Sequence, residues 1–162
     1  MTAPTGRVIQ ADGRSKAYRP LPRADRASAV QAGLAAYDAG DYFLAHELLE
    51  PAWMGTDDLA ERALIQGLIK LAAADVHGVR GNPAGVARNL EGALERLRQA
   101  AGTTDRAGIT TGVGAPAGSA STGPDIGVEL DLGAVIAAAE RRLSLATGGA
   151  VTDPIAITWR AR

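Results

Sequence analysis

The stretch GDYFLAHELLEPAW, residues 40–53, contains the turn between the first two predicted helices and the second helix itself, and it decides how the fold begins. In the segment before it, apolar residues recur at helical spacing up to Leu34 and Tyr37. Gly40 is the residue type expected just past a helix end, and Asp41 can cap the next helix because its carboxylate accepts hydrogen bonds from free backbone N–H groups. A connection this short predicts an antiparallel helical hairpin, similar to one unit of a helical-repeat protein.

A proline lies inside the second predicted helix, which begins at Tyr42. Pro51 removes one backbone donor, and its ring clashes with the preceding turn. It also disfavours helical geometry at the residue before it. The second helix is therefore predicted either to end near Leu49 or to continue with a kink as far as Trp53.

Three further helices are predicted downstream. The third spans about 58–78 and is apolar or small nearly all round, which is typical of a central, buried helix. The fourth starts at Pro83 and runs to about 101, and the fifth spans about 131–147. The sequence thus predicts an all-α fold, a single bundle of about five helices. Its predicted parts are an extended N-terminal arm (1–22), a core of four helices (23–101), a flexible Gly/Ser/Thr-rich loop (102–124), and a final helix with a C-terminal tail that packs on the core (125–162).

The composition limits the classes of function. The chain of 162 residues contains no cysteine, which excludes disulfides, thiol catalysis and thiolate metal sites and is typical of a cytoplasmic protein. Its formal net charge of −1 predicts no nucleic-acid partner. No stretch is long and apolar enough to predict a membrane partner. A protein partner or a homo-oligomer is compatible with these numbers.

A histidine and two glutamates on the second helix form the candidate site. At about 100° per residue, His46, Glu50 and Trp53 share one side of the helix, and Glu47 lies at its edge. This side is expected to be buried, so the carboxylate of Glu50 requires a partner. Polar residues on one side of the third helix are predicted to converge on the same point: Gln66, Lys70 and His77.

Three interpretations of this group stay open. As a divalent-metal site it would use His46, Glu50 and His77, with Glu47 as a further ligand, and such nitrogen and carboxylate donors suit zinc, iron or manganese. As a small-molecule site it would use His46, Glu47 and Glu50 as the candidate catalytic acid/base residues. The candidate ligand-binding residues are then Trp53, Gln66, Lys70 and His77. As a purely structural hydrogen-bond network it would fix the helix register in a helical protein-interaction module without chemistry.

One further carboxylate is predicted to be buried. Asp75 lies on the bulky apolar face of the third helix, where an unpaired charge is costly. Arg88 and Arg96 on the fourth helix are its predicted partners.

The motifs G-x-Y-x-x-A-H-E-x-x-E-x-x-W and Q-G-L-I, followed by a histidine and a G-N turn, resemble the bacterial and archaeal family of domains of unknown function numbered 309. The resemblance covers about 34–97 and implies a small all-helical domain without an established activity. The chain departs from the family pattern at Leu44 and Lys70, where glutamate and glutamine are common, and at Pro51. The matching positions are Gly40, Tyr42, Ala45, His46, Glu47, Glu50, Trp53, Gln66, Gly67, Leu68, Ile69, His77, Gly81 and Asn82.

Overall fold

A computed structural model describes residues 6–9, 13–107 and 123–162 of the chain. All five predicted helices are present, which confirms the all-α bundle. The fourth helix continues through Gly102, whereas its predicted end is near 101, and the rest of the predicted loop at 102–124 lies largely outside the described residues. The helices are α1 (Arg23–Asp38), α2 (Tyr42–Met54), α3 (Leu59–Val79), α4 (Pro83–Ala107) and α5 (Leu132–Thr147), and the short strands are β1 (Gly6–Ile9), β2 (Ser15–Tyr18), β3 (Val128–Leu130) and β4 (Trp159–Ala161).

α1 and α2 form the predicted antiparallel hairpin. The turn between them places Gly40 at a φ of 80°, a conformation that glycine adopts without strain. The carboxylate of Asp41 accepts a hydrogen bond of 3.0 Å from the backbone N–H of Leu44. Gly33 allows the helices to approach closely, because a Cβ at this position would lie 2.6 Å from the side chain of Leu49.

Pro51 does not end α2, which continues to Met54. The proline is exposed, so its ring does not disturb the packed side of the helix. Its missing N–H leaves the carbonyl of Glu47, four residues earlier, without its usual helical donor. Because α2 stays helical, the periodicity of the sequence remains valid up to Trp53.

α3 is the central helix and contacts α2 and α4. Gly67 allows α4 to approach closely, because a Cβ there would lie 2.6 Å from the side chain of Leu97. α5 packs in turn against α4. The apolar core contains residues of all five helices and also Ile155 and Ile157, which follow α5. The tail therefore closes one side of the core.

The N-terminal arm, predicted to be extended, folds back on itself. β1 and β2 form an antiparallel ribbon in which Gly6 lies opposite Tyr18. The backbone N–H of Arg19 donates to the carbonyl of Met54 at 2.9 Å and attaches the ribbon to the end of α2. β3 and β4 form a second antiparallel ribbon, which joins the segment before α5 to residues 159–161.

A buried ion pair links α3 to α5. Arg142 Nη1 lies 2.5 Å from Asp75 Oδ1, and the two side chains are 4% and 0% exposed. The Tyr37 hydroxyl of α1 donates to Asp75 Oδ2 at 2.6 Å, and Arg142 Nε donates to Thr152 Oγ1 at 3.0 Å. Burial raises the pKa of Asp75, although the Tyr37 hydroxyl and Arg142 oppose that shift. Two helices and the C-terminal segment are thus connected to α3 through one carboxylate.

The partner of Asp75 comes from α5 and not from α4. The prediction of Arg88 or Arg96 is therefore wrong. Gly78 of α3 lies beside the guanidinium, and a Cβ at this position would be at ordinary contact distance, 3.4 Å, from Arg142 Nη2.

Removing one member of this pair is expected to be strongly destabilising. Asp75→Ala or Arg142→Ala would leave an uncompensated buried charge, which costs about 3–5 kcal/mol of unfolding free energy. The double variant Asp75→Leu/Arg142→Met replaces both charges by apolar groups and should recover most of that loss. Urea denaturation followed by circular dichroism measures the three free energies.

The pair between Arg98 and Glu140 is a matched control. It joins α4 to α5 at 2.6 Å, but both side chains are exposed. Arg98→Ala is expected to change the unfolding free energy by less than about 1 kcal/mol. Equal losses at the buried and the exposed pair would contradict the structural role assigned to Asp75 and Arg142.

Asp125, which lies beside the second ribbon, contacts residues from three parts of the chain. Its Oδ1 accepts a hydrogen bond of 3.0 Å from the N–H of Gly127. Its Oδ2 pairs with Arg23 of α1 and lies 3.5 Å from Arg162 Nη1. The Gly127 N–H, followed by the two guanidinium groups, lowers the pKa of Asp125 below its ordinary value.

Because the pKa of Asp125 is lowered in the folded state, the stabilisation that Asp125 provides depends on pH. Asp125 stabilises the fold above the unfolded pKa of about 3.9, and the contribution is lost as the pH falls through the folded pKa. Asp125→Asn is expected to lower the unfolding free energy at neutral pH by up to about 1 kcal/mol, the scale of partly exposed pairs. Urea denaturation across the acid range should show the variant and the parent chain converging at low pH. A difference that grows toward low pH would contradict this assignment.

Candidate functional site

Three potential ligand side chains lie together on α2. One ligand atom each of His46, Glu47 and Glu50 lies within 4.8 Å of the others. His46 Nδ1 is 3.3 Å from Glu47 Oε1, and these two side chains are 33% and 51% exposed. We call these three residues the His/Glu cluster. It faces solvent in part, although the sequence predicts a buried position.

The buried stripe of α2 explains this difference. It consists of Ala45, Leu49 and Ala52. These residues directly precede His46, Glu50 and Trp53, which the sequence predicts to be buried. One residue corresponds to a rotation of about 100° around the helix axis. His46 and Glu50 are therefore half-buried at the edge of the packed face, not in its centre.

Two contacts along the seam between α2 and α3 show how these helices pack. At one end of this seam, Phe43 of α2 lines a groove together with Val79 of α3. At the other end, Trp53 contacts Arg62 at the start of α3. The helices therefore run antiparallel, and the His/Glu cluster lies between these two contacts.

The polar side chains of Lys70 and His77 turn toward α4. The ring of His77 lies against Gly85, where a Cβ would come within 2.5 Å of Nδ1, and Asn82 Nδ2 is 3.2 Å from the same nitrogen. Lys70 lies against Gly92, where a Cβ would be 3.0 Å from Cδ of the lysine. The predicted convergence of these two residues with the cluster is therefore wrong.

A signal for this pairing is present in the sequence. Lys70 and His77 are seven residues apart on α3, and Gly85 and Gly92 are seven residues apart on α4. When α3 and α4 pack antiparallel, each long side chain meets a residue without one. Gln66, the third residue of α3 that is predicted to converge on the site, is half-buried.

Trp53 packs against a buried arginine that the sequence does not single out. The guanidinium carbon of Arg62 lies 4.8 Å from the centre of the Trp53 ring. Arg62 Nη1 donates to the carbonyl oxygens of Trp53 at 3.0 Å and of Thr56 at 2.9 Å. Burial lowers the pKa of Arg62. These contacts make Trp53 part of the junction between α2 and α3.

The donor atoms of the His/Glu cluster fit a divalent metal ion. An imidazole nitrogen and carboxylate oxygens suit zinc, iron or manganese. At bond lengths of about 2.0–2.2 Å, neighbouring ligands of a tetrahedral ion lie about 3.3–3.6 Å apart. The three ligand atoms, now within 4.8 Å of one another, would therefore have to move about 1 Å closer through side-chain rotation to share one ion. His46 and Glu50 are four residues apart, which places them one above the other on the same side of the helix.

The fold and the cluster define a class of small, mainly helical domains with a histidine and two glutamates on the second helix, beside a central apolar helix. Residues 30–89 match the model of a family described as "Domain of unknown function (DUF309)". The match includes α2, the cluster and α3, and over these residues it confirms the resemblance that the motifs predict. No curated protein and no solved structure matches the chain. Within the described residues, the helices lack the combination of length and apolarity needed to cross a membrane.

Proposed function

We propose that the His/Glu cluster binds a divalent transition-metal ion and is the functional site of this domain. The observation that carries the proposal is the grouping of one imidazole and two carboxylates on a single helix, with ligand atoms within 4.8 Å of one another. Three protein ligands from one helix occupy only one side of an ion. Water or a substrate would complete the coordination, which is typical of catalytic rather than structural metal sites.

The surroundings of the cluster support ligand binding more than a purely structural network. Its side chains are partly exposed, and the 3.3 Å contact between His46 and Glu47 is longer than a typical hydrogen bond. The role of a buried polar network is already filled by Asp75, Arg142 and Tyr37. Pro51 also removes the usual helical donor of the Glu47 carbonyl, which lies on the same turn as the cluster.

A helical protein-interaction module is the second candidate function. It is favoured by Phe43 and Leu44, two large apolar side chains that are exposed at the start of α2. A partner that covered them would remove apolar surface from water, the main driving force of protein association. Its affinity would not require His46 or Glu50, which separates this candidate from the metal site.

Zinc titration of the whole chain by isothermal titration calorimetry tests the metal proposal. His46→Ala and Glu50→Gln are expected to weaken zinc binding at least about tenfold, which corresponds to about 1.4 kcal/mol each. The chain has two histidines, and the other one provides the matched control. His77→Ala should bind zinc like the parent chain, because His77 lies against α4.

Two results would contradict the metal proposal. One is zinc affinity that survives both His46→Ala and Glu50→Gln, and the other is an equal loss in His77→Ala. Thermal melting of the metal-free variants identifies a structural role instead. Because the cluster is partly exposed, its substitutions should change the unfolding free energy by no more than about 0.5 kcal/mol.

A further inference from the structure

A groove opens between the start of α2 and the end of α3. It has a volume of about 240 Å³ and is lined by Asp41, Tyr42, Phe43, Val76, Val79 and Arg80. It lies about one helical turn along α2 from His46. It shares no residue with the His/Glu cluster and is therefore a separate candidate site.

The walls of the groove are apolar and open to solvent. Phe43 and Val79 are 63% and 77% exposed. Phe43 is the single phenylalanine of the chain and lies at the surface, although this residue type is usually buried. Tyr42 is fixed by an edge-to-face contact with Tyr37, whose ring centre is 5.1 Å away. A ligand with an apolar body would cover these side chains and remove their surface from water.

The groove is lined by two charged residues, Asp41 and Arg80. The carboxylate of Asp41 accepts a hydrogen bond of 3.0 Å from the N–H of Leu44. Each of the two charges lies at a favourable helix end, because Asp41 caps the start of α2 and Arg80 is the C-cap of α3. Arg80 is exposed, and among the residues that the structure describes its guanidinium has no hydrogen-bond or ion-pair partner. Of the two, the guanidinium of Arg80 is therefore the group with free hydrogen-bond donors.

We infer that this groove binds a small monocarboxylate with an apolar body. The carboxylate pairs with the guanidinium of Arg80, whose planar donors match a carboxylate group. The apolar body covers Phe43 and Val79. The volume of about 240 Å³ is below the roughly 300–1,000 Å³ of sites for larger ligands, which limits the ligand to about one ring with a short acid chain. The inference does not depend on metal binding by the cluster.

Three probes of similar shape and different charge test this inference: phenylacetate, the neutral phenylacetamide and the cationic phenethylammonium. Each is titrated into the whole chain, and the backbone amide signals of Phe43, Val79 and Arg80 are followed by NMR. Affinity should decrease from phenylacetate to phenylacetamide to phenethylammonium. The anion should bind about tenfold more tightly than the neutral probe, as expected for one charge-assisted hydrogen bond.

Two exposed substitutions separate the charge effect from the apolar contact. Arg80→Gln should reduce the affinity for phenylacetate to that for phenylacetamide. Asp41→Asn keeps a good helix cap but removes the negative charge, so it should bind phenylacetate at least as tightly as the parent chain. His46→Ala should leave phenylacetate binding unchanged, which keeps this test independent of the metal proposal.

Several outcomes would overturn the inference. They are equal affinity for the three probes, tighter binding of the cation, and an unchanged phenylacetate affinity in Arg80→Gln. The absence of amide shifts at phenylacetate concentrations of about 10 mM would also overturn it, because a site of physiological use binds more tightly than that.

Discussion

The contact between Asp75 and Arg142 is the constraint on which the rest of the structure depends. It joins the central helix α3 to α5, and the Tyr37 hydroxyl brings α1 to the same carboxylate. Each charged group has lost its water, so the pair is stable only in a narrow geometry. Cores of leucine and alanine tolerate small shifts between helices. The buried pair therefore defines the helix positions that apolar packing alone leaves loosely specified.

The position of the two candidate sites follows from this arrangement. α3 is fixed between its neighbours, and α2 lies against it with its own buried stripe of small and apolar residues. The His/Glu cluster lies on α2, and the groove at Phe43 lies between α2 and α3, about one turn closer to the start of α2. Both candidate sites therefore lie on or beside α2, while the buried ion pair joins α3 to α5.

Local signals were sufficient to predict most of the fold. Gly40 and Asp41 mark the end of one helix and the start of the next through backbone effects that need no knowledge of tertiary contacts. The continuation of α2 through Pro51 could not be decided in this way, because an exposed proline ring is tolerated when packing stabilises the helix around it. The two ribbons were not predicted because strands of three or four residues carry too little periodicity.

The candidate site was predictable in its residues but not in its surroundings. Helical periodicity shows which side chains share a side of α3, but it does not show which neighbouring helix covers that side. His77 and the partner of Asp75 were misplaced for this reason. On α2, a difference of one residue in the buried stripe moved His46 and Glu50 from the expected core to the partly exposed edge.

Arg142 is one of several contacts that hold α5 in place. The ion pair to α3, the contacts with α4 and the ribbon of β3 and β4 all position that helix. Doubling the length of a connection costs only about 0.6 kcal/mol in closure entropy. Evolution can therefore add or remove residues between these two helices at little cost to stability. Homologous chains are expected to differ most in length at this connection while they keep the same bundle.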